Sequence, residues 1–303
     1  MTPAPPVVTT KGLTHDYGEV VALENLDVEI PPGVTGLVGA NGAGKTTLFR
    51  ILLGLLHPTE GSVTVLGEDA RTEPMAIRGR VGYMPEDQCL PDEQTAADFV
   101  AYTAELAGIP PGEARRRSSE TLFLVGLEEE RFRFLGDFST GMRQRVKLAQ
   151  AIVHDPTLVL LDEPASGLDP EGRDQMLELI LRLSRFQINV ILSSHVLTDI
   201  ERTSGWVVML DGGKLIRSGP LASGGDQRSV VAEVLKYAPE VASALRARGY
   251  EINVAGPRIS VTGDDGSVER AIVEEVAAAD AGLVRLVRGA SSLEDEFLAG
   301  RAR

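Results

Sequence analysis

The chain has 303 residues, enough for one large domain and a small one, and 43% of them are hydrophobic, as in a protein with buried cores. Its 44 acidic against 30 basic residues give a formal charge of −14, which argues against a broad phosphate-tracking surface and so against nucleic acid as a partner. A single cysteine, Cys89, excludes an intrachain disulfide and suits a reducing compartment.

No stretch approaches the roughly 18 uninterrupted apolar residues of a bilayer span. The longest, Ile51 to Leu56, is itself broken by Gly54. The opening M-T-P-A-P-P-V-V has neither a basic n-region nor an apolar h-region, so a cytoplasmic chain is expected.

In chain order, Val7 to Ile30 alternates as half-buried strands do, most clearly at Leu26, Val28 and Ile30. Between two early strands lies H-D-Y-G-E-V-V-A-L, where Tyr17 is either a packing residue of a glycine turn or a flat face for a purine ring. After a Pro31-Pro32-Gly33 turn comes an apolar run, Val34 to Val38, and then G-A-N-G-A-G-K-T, which fits G-x-x-x-x-G-K-[ST] and opens a helical run with Leu48, Phe49, Ile51 and Leu52. A glycine-rich loop turns successive N–H groups toward a polyphosphate, and the helix it opens adds its positive dipole end. Gly44 permits close approach, Lys45 offers a point charge to the outer phosphates, and the Thr46 hydroxyl is placed for Mg²⁺.

Gly61 to Gly67 reads as another strand, and V-G-Y-M-P-E at Val81 to Glu86 as a partner in a second sheet flanking the nucleotide. From Gln94 to about Glu130 the pattern turns helical, with charged turns such as Gly112 to Arg117, as in an inserted helical subdomain. Ser139 then caps a helix with Met142, Val146, Ala149 and Val153 on one face and Arg143, Arg145 and Lys147 off it. That start is either a plain capped helix or a second anion site.

The run Leu158 to Leu161 reads as a strand buried on both faces, ending in Asp162 and Glu163. In an open parallel sheet that end borders the ligand crevice, so the pair is either a solvated acidic turn or a Mg²⁺ ligand beside a group that orients or deprotonates water. A helix follows the A-S-G-L-D-P turn, with Met176, Leu179, Ile180 and Leu183 inward, and a buried strand, Val190 to Leu192, ends in S-S-H. His195 thus emerges at the edge that carries the carboxylates, as a structural residue or a sensor of the terminal phosphate. A two-strand unit turns at Asp211-Gly212-Gly213, and a link, Ala222 to Ser229, marks a boundary. Beyond it, the order strand, helix, strand, strand, helix, strand over Val230 to Val287 is the split βαβ pattern of a ferredoxin-like domain. A capping box at Ser291 and Glu294 predicts a short closing helix.

The P-loop, S-T-G-M, L-V-L-L-D-E-P, S-G-L-D and S-S-H occur in the order seen in the ATP-binding subunit of ABC transporters, which the chain resembles over roughly Val7 to Gly219. The resemblance implies an α/β P-loop NTPase of the ABC ATPase type, with a mixed sheet core, an antiparallel β subdomain and a helical subdomain at about 88–155. It places the ATP-binding domain at 1–221, and the split βαβ order beyond the link gives a ferredoxin-like domain at 222–303, read as a regulatory or docking module. The resemblance also implies a nucleotide site of Tyr17, stacking on adenine, with Gly39, Ala40, Asn41, Gly42, Ala43, Gly44, Lys45, Thr46 and Thr47 as Walker A. Glu163 becomes the catalytic base, His195 the switch histidine, and Lys45 a third catalytic group. Ser139, Thr140, Gly141 and Met142 form the signature, Asp169 belongs to the D-loop, and Thr46, Asp162 and Glu86 become Mg²⁺ ligands.

Two positions depart from the family pattern. Glu86 stands where a glutamine is usual, adding charge near the phosphates and removing a hydrogen-bond donor, and Met142 replaces the amide of L-S-G-G-Q. Both variants, with the closing S-L-E-D-E-F-L, are similar to the ABC-2 type exporters. The resemblance therefore implies ATP and Mg²⁺ as ligands, a second ATP-binding subunit, a homodimer above all, paired head to tail, and a separate permease holding the chain at the inner face of the membrane. A soluble ABC ATPase would carry the same motifs, although Lys45 to Ser139 is too short to hold a long coiled-coil arm. A GTPase is disfavoured because no asparagine, at 25, 41, 189 or 253, is followed by lysine.

Overall fold

Alternation with period two makes the first two strands. Strand β1 (Val8–Asp16) and strand β2 (Val21–Ile30) turn Val8, Leu13, Leu23, Leu26 and Ile30 inward and their charged residues outward. The computed structural model describes residues 4–221, 229–262 and 266–288, and its contacts divide the chain after Pro220.

Strand β3 (Val34–Val38) leads into helix α1 (Lys45–Leu52), and the chain returns as β4 (Glu60–Val65) and β5 (Glu68–Asp69). An antiparallel sheet in the order β2-β1-β4-β5 results. Next come α2 (Pro74–Arg78), β6 (Val81–Met84), α3 (Ala96–Leu106), α4 (Pro111–Leu124), α5 (Thr140–Ile152) and β7 (Leu158–Leu161). The first unit closes with α6 (Pro170–Arg185), β8 (Asn189–Ser194), α7 (Leu197–Thr203), β9 (Trp206–Asp211) and β10 (Lys214–Pro220). Its second sheet has six strands in the order β10-β9-β3-β8-β7-β6, parallel except for β10. Parallel strands covered on both faces read as unbroken apolar runs, and all four residues of β7 are buried. Helix α1 gives Leu48, Phe49, Ile51 and Leu52 to a core shared with both sheets. Phe49 is fully buried there, which stabilises the fold by roughly 1.5–3 kcal/mol.

Four local expectations are corrected. Val81 to Glu86 does not pair with Gly61 to Gly67; β6 is the edge of the parallel sheet beside β7, whereas β4 pairs with β1. Gly82 explains the position, because a Cβ there would stand 1.9 Å from the Ala151 carbonyl oxygen, so only a glycine lets β6 run under α5. Gly112 to Arg117 is no turn but the first half of α4, where Pro111 opens the helix and Glu113 pairs with Arg116 and Arg117 one turn on. Leu177, not Leu179, is buried in α6, since Met176, Leu177, Ile180 and Leu183 make an equally helical stripe. Lys147 lies inside the protein, not on an outer face, at 4% exposure.

The second unit runs β11 (Ser229–Val234), α8 (Ala238–Ala247), β12 (Glu251–Ala255), β13 (Arg258–Thr262), α9 (Gly266–Ala278) and β14 (Leu283–Arg288). Its antiparallel sheet has the order β12-β13-β11-β14, the ferredoxin-like arrangement, with Val241 and Leu245 of α8 and Val268, Ile272 and Val276 of α9 in its core. Most of the Ala222–Ser229 link, and the capping box at Ser291 and Glu294, lie outside the described residues. Among the described residues no helix is long and apolar enough to cross a membrane.

Candidate nucleotide site

The central strand β3 ends in the glycine loop. Gly42 and Gly44 take φ of 81° and 100°, a region that favours glycine, and a Cβ on Gly44 would fall 2.5 Å from the Ala22 carbonyl oxygen. Lys45 is 7% exposed and folds back over the loop, donating from Nζ to the Gly39 carbonyl at 2.7 Å and the Ala40 carbonyl at 3.5 Å. Thr46, one residue on, donates from Oγ1 to Asp162 Oδ2 at 2.8 Å.

Asp162 and Glu163 follow β7, and the register Leu161 opposite Leu192 carries one residue further to set Asp162 beside Ser193. The Ser193 hydroxyl donates to Asp162 Oδ1 at 2.6 Å and accepts from the Glu163 N–H at 2.9 Å. The first serine of S-S-H, Ser193, therefore has a structural role that the motif alone does not assign. The signal was available, for Ser193 and Asp162 are polar residues at the ends of neighbouring buried strands.

Glu163 has φ of 48°, left-handed backbone that costs a non-glycine residue about 1–3 kcal/mol and is held only where the surroundings demand it. Its Oε2 lies 2.9 Å from His195 Nδ1, and Oε1 lies 3.4 Å from Lys45 Nζ. The second approach is an ion pair without hydrogen-bond alignment, so Oε1 is a buried acceptor with no hydrogen-bond donor. Lys45, Thr46, Asp162, Glu163 and His195 thus meet at one edge of the parallel sheet. Tyr17 stands beside them: its ring is 53% exposed, its hydroxyl is 3.5 Å from Thr47 Oγ1, and His15 meets it edge to face with centroids 4.5 Å apart.

The remaining expected residues gather elsewhere. Ser139 caps α5, accepting from the Met142 N–H at 3.3 Å, and Gln144 of that helix donates to the Ser166 carbonyl. Asp169 caps α6, accepting from the Gly172 N–H at 3.2 Å. Among the described residues no hydrogen bond or ion pair joins Ser139, Thr140, Gly141, Met142 or Asp169 to loop 39–47. Glu86 is exposed and is not drawn into the Thr46–Asp162 pair; its carbonyl accepts from Lys147 Nζ at 2.9 Å. Burial pulls the Lys147 ammonium below the usual lysine range, and Cys89, Asp87 and Glu86 pull it part of the way back. Tyr83, on β6, is pushed up to about 12 by burial and then by the Asp162 charge.

A family model described as ABC transporter matches residues 23–166. An ABC transporter ATP-binding protein of Synechocystis sp. is 37% identical over 92% of this chain and 78% of its own length. The chain belongs to the ABC transporter ATP-binding proteins. Within that family it is similar to the daunorubicin/doxorubicin resistance ATP-binding protein DrrA of Streptomyces peucetius, 31% identical over 96% of this chain and 91% of DrrA. A solved ATP-binding subunit of an ABC transporter superposes at a TM-score of 0.64 and 30% identity, covering 71% of this chain and 90% of that one. This ABC protein is accordingly an ATPase of the P-loop ABC type, the ATP-binding subunit of a transporter that works with a membrane permease.

Proposed function

We propose that two ATP-binding subunits, copies of this chain in the simplest case, close head to tail on two ATP molecules and drive an exporter of the ABC-2 type. The observation that carries this reading is the separation of the two motif sets. Lys45, Asp162, Glu163 and His195 converge on one edge, whereas Ser139 to Met142 lie against the 166–169 loop and reach none of them. A second chain turned end to end supplies the missing half of each site.

In that site the 39–47 backbone cradles the phosphates and the Tyr17 ring stacks on adenine. Lys45, already close to two carbonyls and to Glu163, exchanges those contacts for the outer phosphates. The donor set suits Mg²⁺: Thr46 Oγ1 and the Asp162 carboxylate are hard oxygen ligands lying together. Among the described residues no cluster of three or more His, Cys, Asp or Glu side chains could hold a metal, so this chain would hold the ion through Thr46 and Asp162 only together with the bound nucleotide. When bound, the ion offsets the charge that builds on the phosphate oxygens.

Glu163 takes a proton from the attacking water as oxygen bonds to the γ-phosphorus and the bond to the bridging β–γ oxygen breaks, leaving ADP and inorganic phosphate. Its Oε1, buried and without a donor, is the acceptor for that proton. His195 holds Oε2 and so fixes the orientation of the base. Export as the direction rests on the likeness to DrrA. Lys45→Ala and Glu163→Gln should both abolish ATP turnover, and the wild-type chain should co-purify with a multi-span membrane protein; wild-type hydrolysis in both variants contradicts the site.

A further inference from the structure

Two loops flank the Glu163–His195 contact, and each is the entrance of a helix. Loop 164–169 leads from Glu163 into α6, and His195 leads through Val196 into α7. Arg173 in the first turns of α6 meets Asp199 in the first turn of α7. Arg173 Nε donates to Asp199 Oδ1 at 2.8 Å and to Oδ2 at 3.0 Å, and the guanidinium Nη2 donates to Oδ2 at 2.7 Å. Asp199 is 3% exposed, so its charge is costly unless matched, and both oxygens are matched here.

Holding two helices together does not require a buried carboxylate. Arg202 and Asp174 already join α7 to α6 at 2.6 Å through side chains that are both more than half exposed. What distinguishes the Arg173–Asp199 pair, with its carboxylate buried and its guanidinium half-buried, is its place. Arg173 and Asp199 wall a cavity of about 140 Å³ together with Glu163, Gly167, Leu168 and His195. Asp199 raises the Arg173 pKa above its ordinary value, with Glu163 adding to the effect, so the guanidinium lies within electrostatic reach of the base.

We propose that the Arg173–Asp199 pair is a positioning element for hydrolysis: it locks α6 to α7, so that pressure of a second subunit on loop 164–169 sets the Glu163–His195 contact. The inference rests on the reading of Glu163 and His195 as hydrolytic groups. Arg173 and Asp199 touch no reacting atom; they act through the two helix entrances. A bidentate fork on a buried carboxylate resists both sliding and rotation, which a single exposed contact does not.

Asp199→Asn keeps the shape and removes the charge, and Arg173→Met keeps the stem and removes the fork. Both are measured for ATP turnover beside Arg202→Ala and Glu163→Gln, over limiting and saturating ATP. The pair variants should lower kcat by about tenfold or more while KM for ATP stays within about twofold, and Arg202→Ala should match wild type. Arg173→Lys, which keeps the charge without the fork, should fall between. Wild-type kcat in the pair variants beside an inactive Glu163→Gln overturns the inference alone, whereas an active Glu163→Gln overturns the catalytic reading beneath it. Equal losses in Arg202→Ala point to plain packing and also overturn it. Should Arg173→Met not fold, the isosteric Asp199→Asn decides.

Discussion

The Ser193 hydroxyl joins Asp162 to Glu163, donating to the carboxylate of one at 2.6 Å and accepting from the backbone N–H of the other at 2.9 Å. Ser193→Ala leaves a buried carboxylate oxygen and a buried N–H without their partner. A loss of about 1–3 kcal/mol in urea unfolding is expected. ATP turnover should fall further than the stability loss accounts for, because Glu163 keeps its left-handed backbone only where its neighbours impose it. Full activity with unchanged stability would contradict the bridging role.

Tyr17 offers an exposed ring against the first turn of α1. Stacking on a base is worth about 1–3 kcal/mol by alanine substitution, so Tyr17→Ala should raise KM for ATP accordingly and leave kcat near wild type. Tyr17→Phe, which loses only the contact with Thr47, should stay within about twofold. Isothermal titration with a non-hydrolysable ATP analogue measures the same difference in Kd.

Lys147 donates to the Glu86 carbonyl from a buried position that pulls its pKa below the ordinary 10.5. Between the lowered folded value and 10.5 the unfolded chain binds more protons than the folded one, so this group makes stability rise with pH across that window. The cost of the buried ammonium is fully present at lower pH. Wild type should therefore gain stability relative to Lys147→Met as the pH rises toward 10.5, read by urea midpoints at each pH. A difference that does not change with pH would show that the amine carries no such cost.

The parts of the fold that a reader of the sequence can see are those governed by repeating rules. In the second unit, alternation at period two and 3.6 with glycine breaks yields the order of six elements that the structure shows. The meeting of Lys45, Glu163 and His195 at one edge follows from parallel topology, since each emerges at a corresponding end of a neighbouring strand. What stayed hidden depends on partners distant in sequence. Lys147 looks like a surface residue until β6 is placed beneath α5, and β6 is placed by Gly82, whose meaning is a missing side chain. Arg173 and Asp199 are 26 residues apart and each resembles any charge in a first helical turn. Glycine and charge give Gly112 to Arg117 the look of a turn, while Pro111 and the Glu113 pairs favour a helix more.

The central claim is that each ATP is enclosed by Lys45 of one subunit and the Ser139–Met142 segment of another. Glu163→Gln removes the base but leaves the binding groups, so it should trap the enclosed state. The direct measurement is the mass of Glu163→Gln in solution with and without Mg-ATP. The account predicts a shift from one chain to two on adding Mg-ATP, lost when Lys45→Ala is combined with Glu163→Gln. A mass that ignores ATP, or a shift that survives the loss of Lys45, would contradict it.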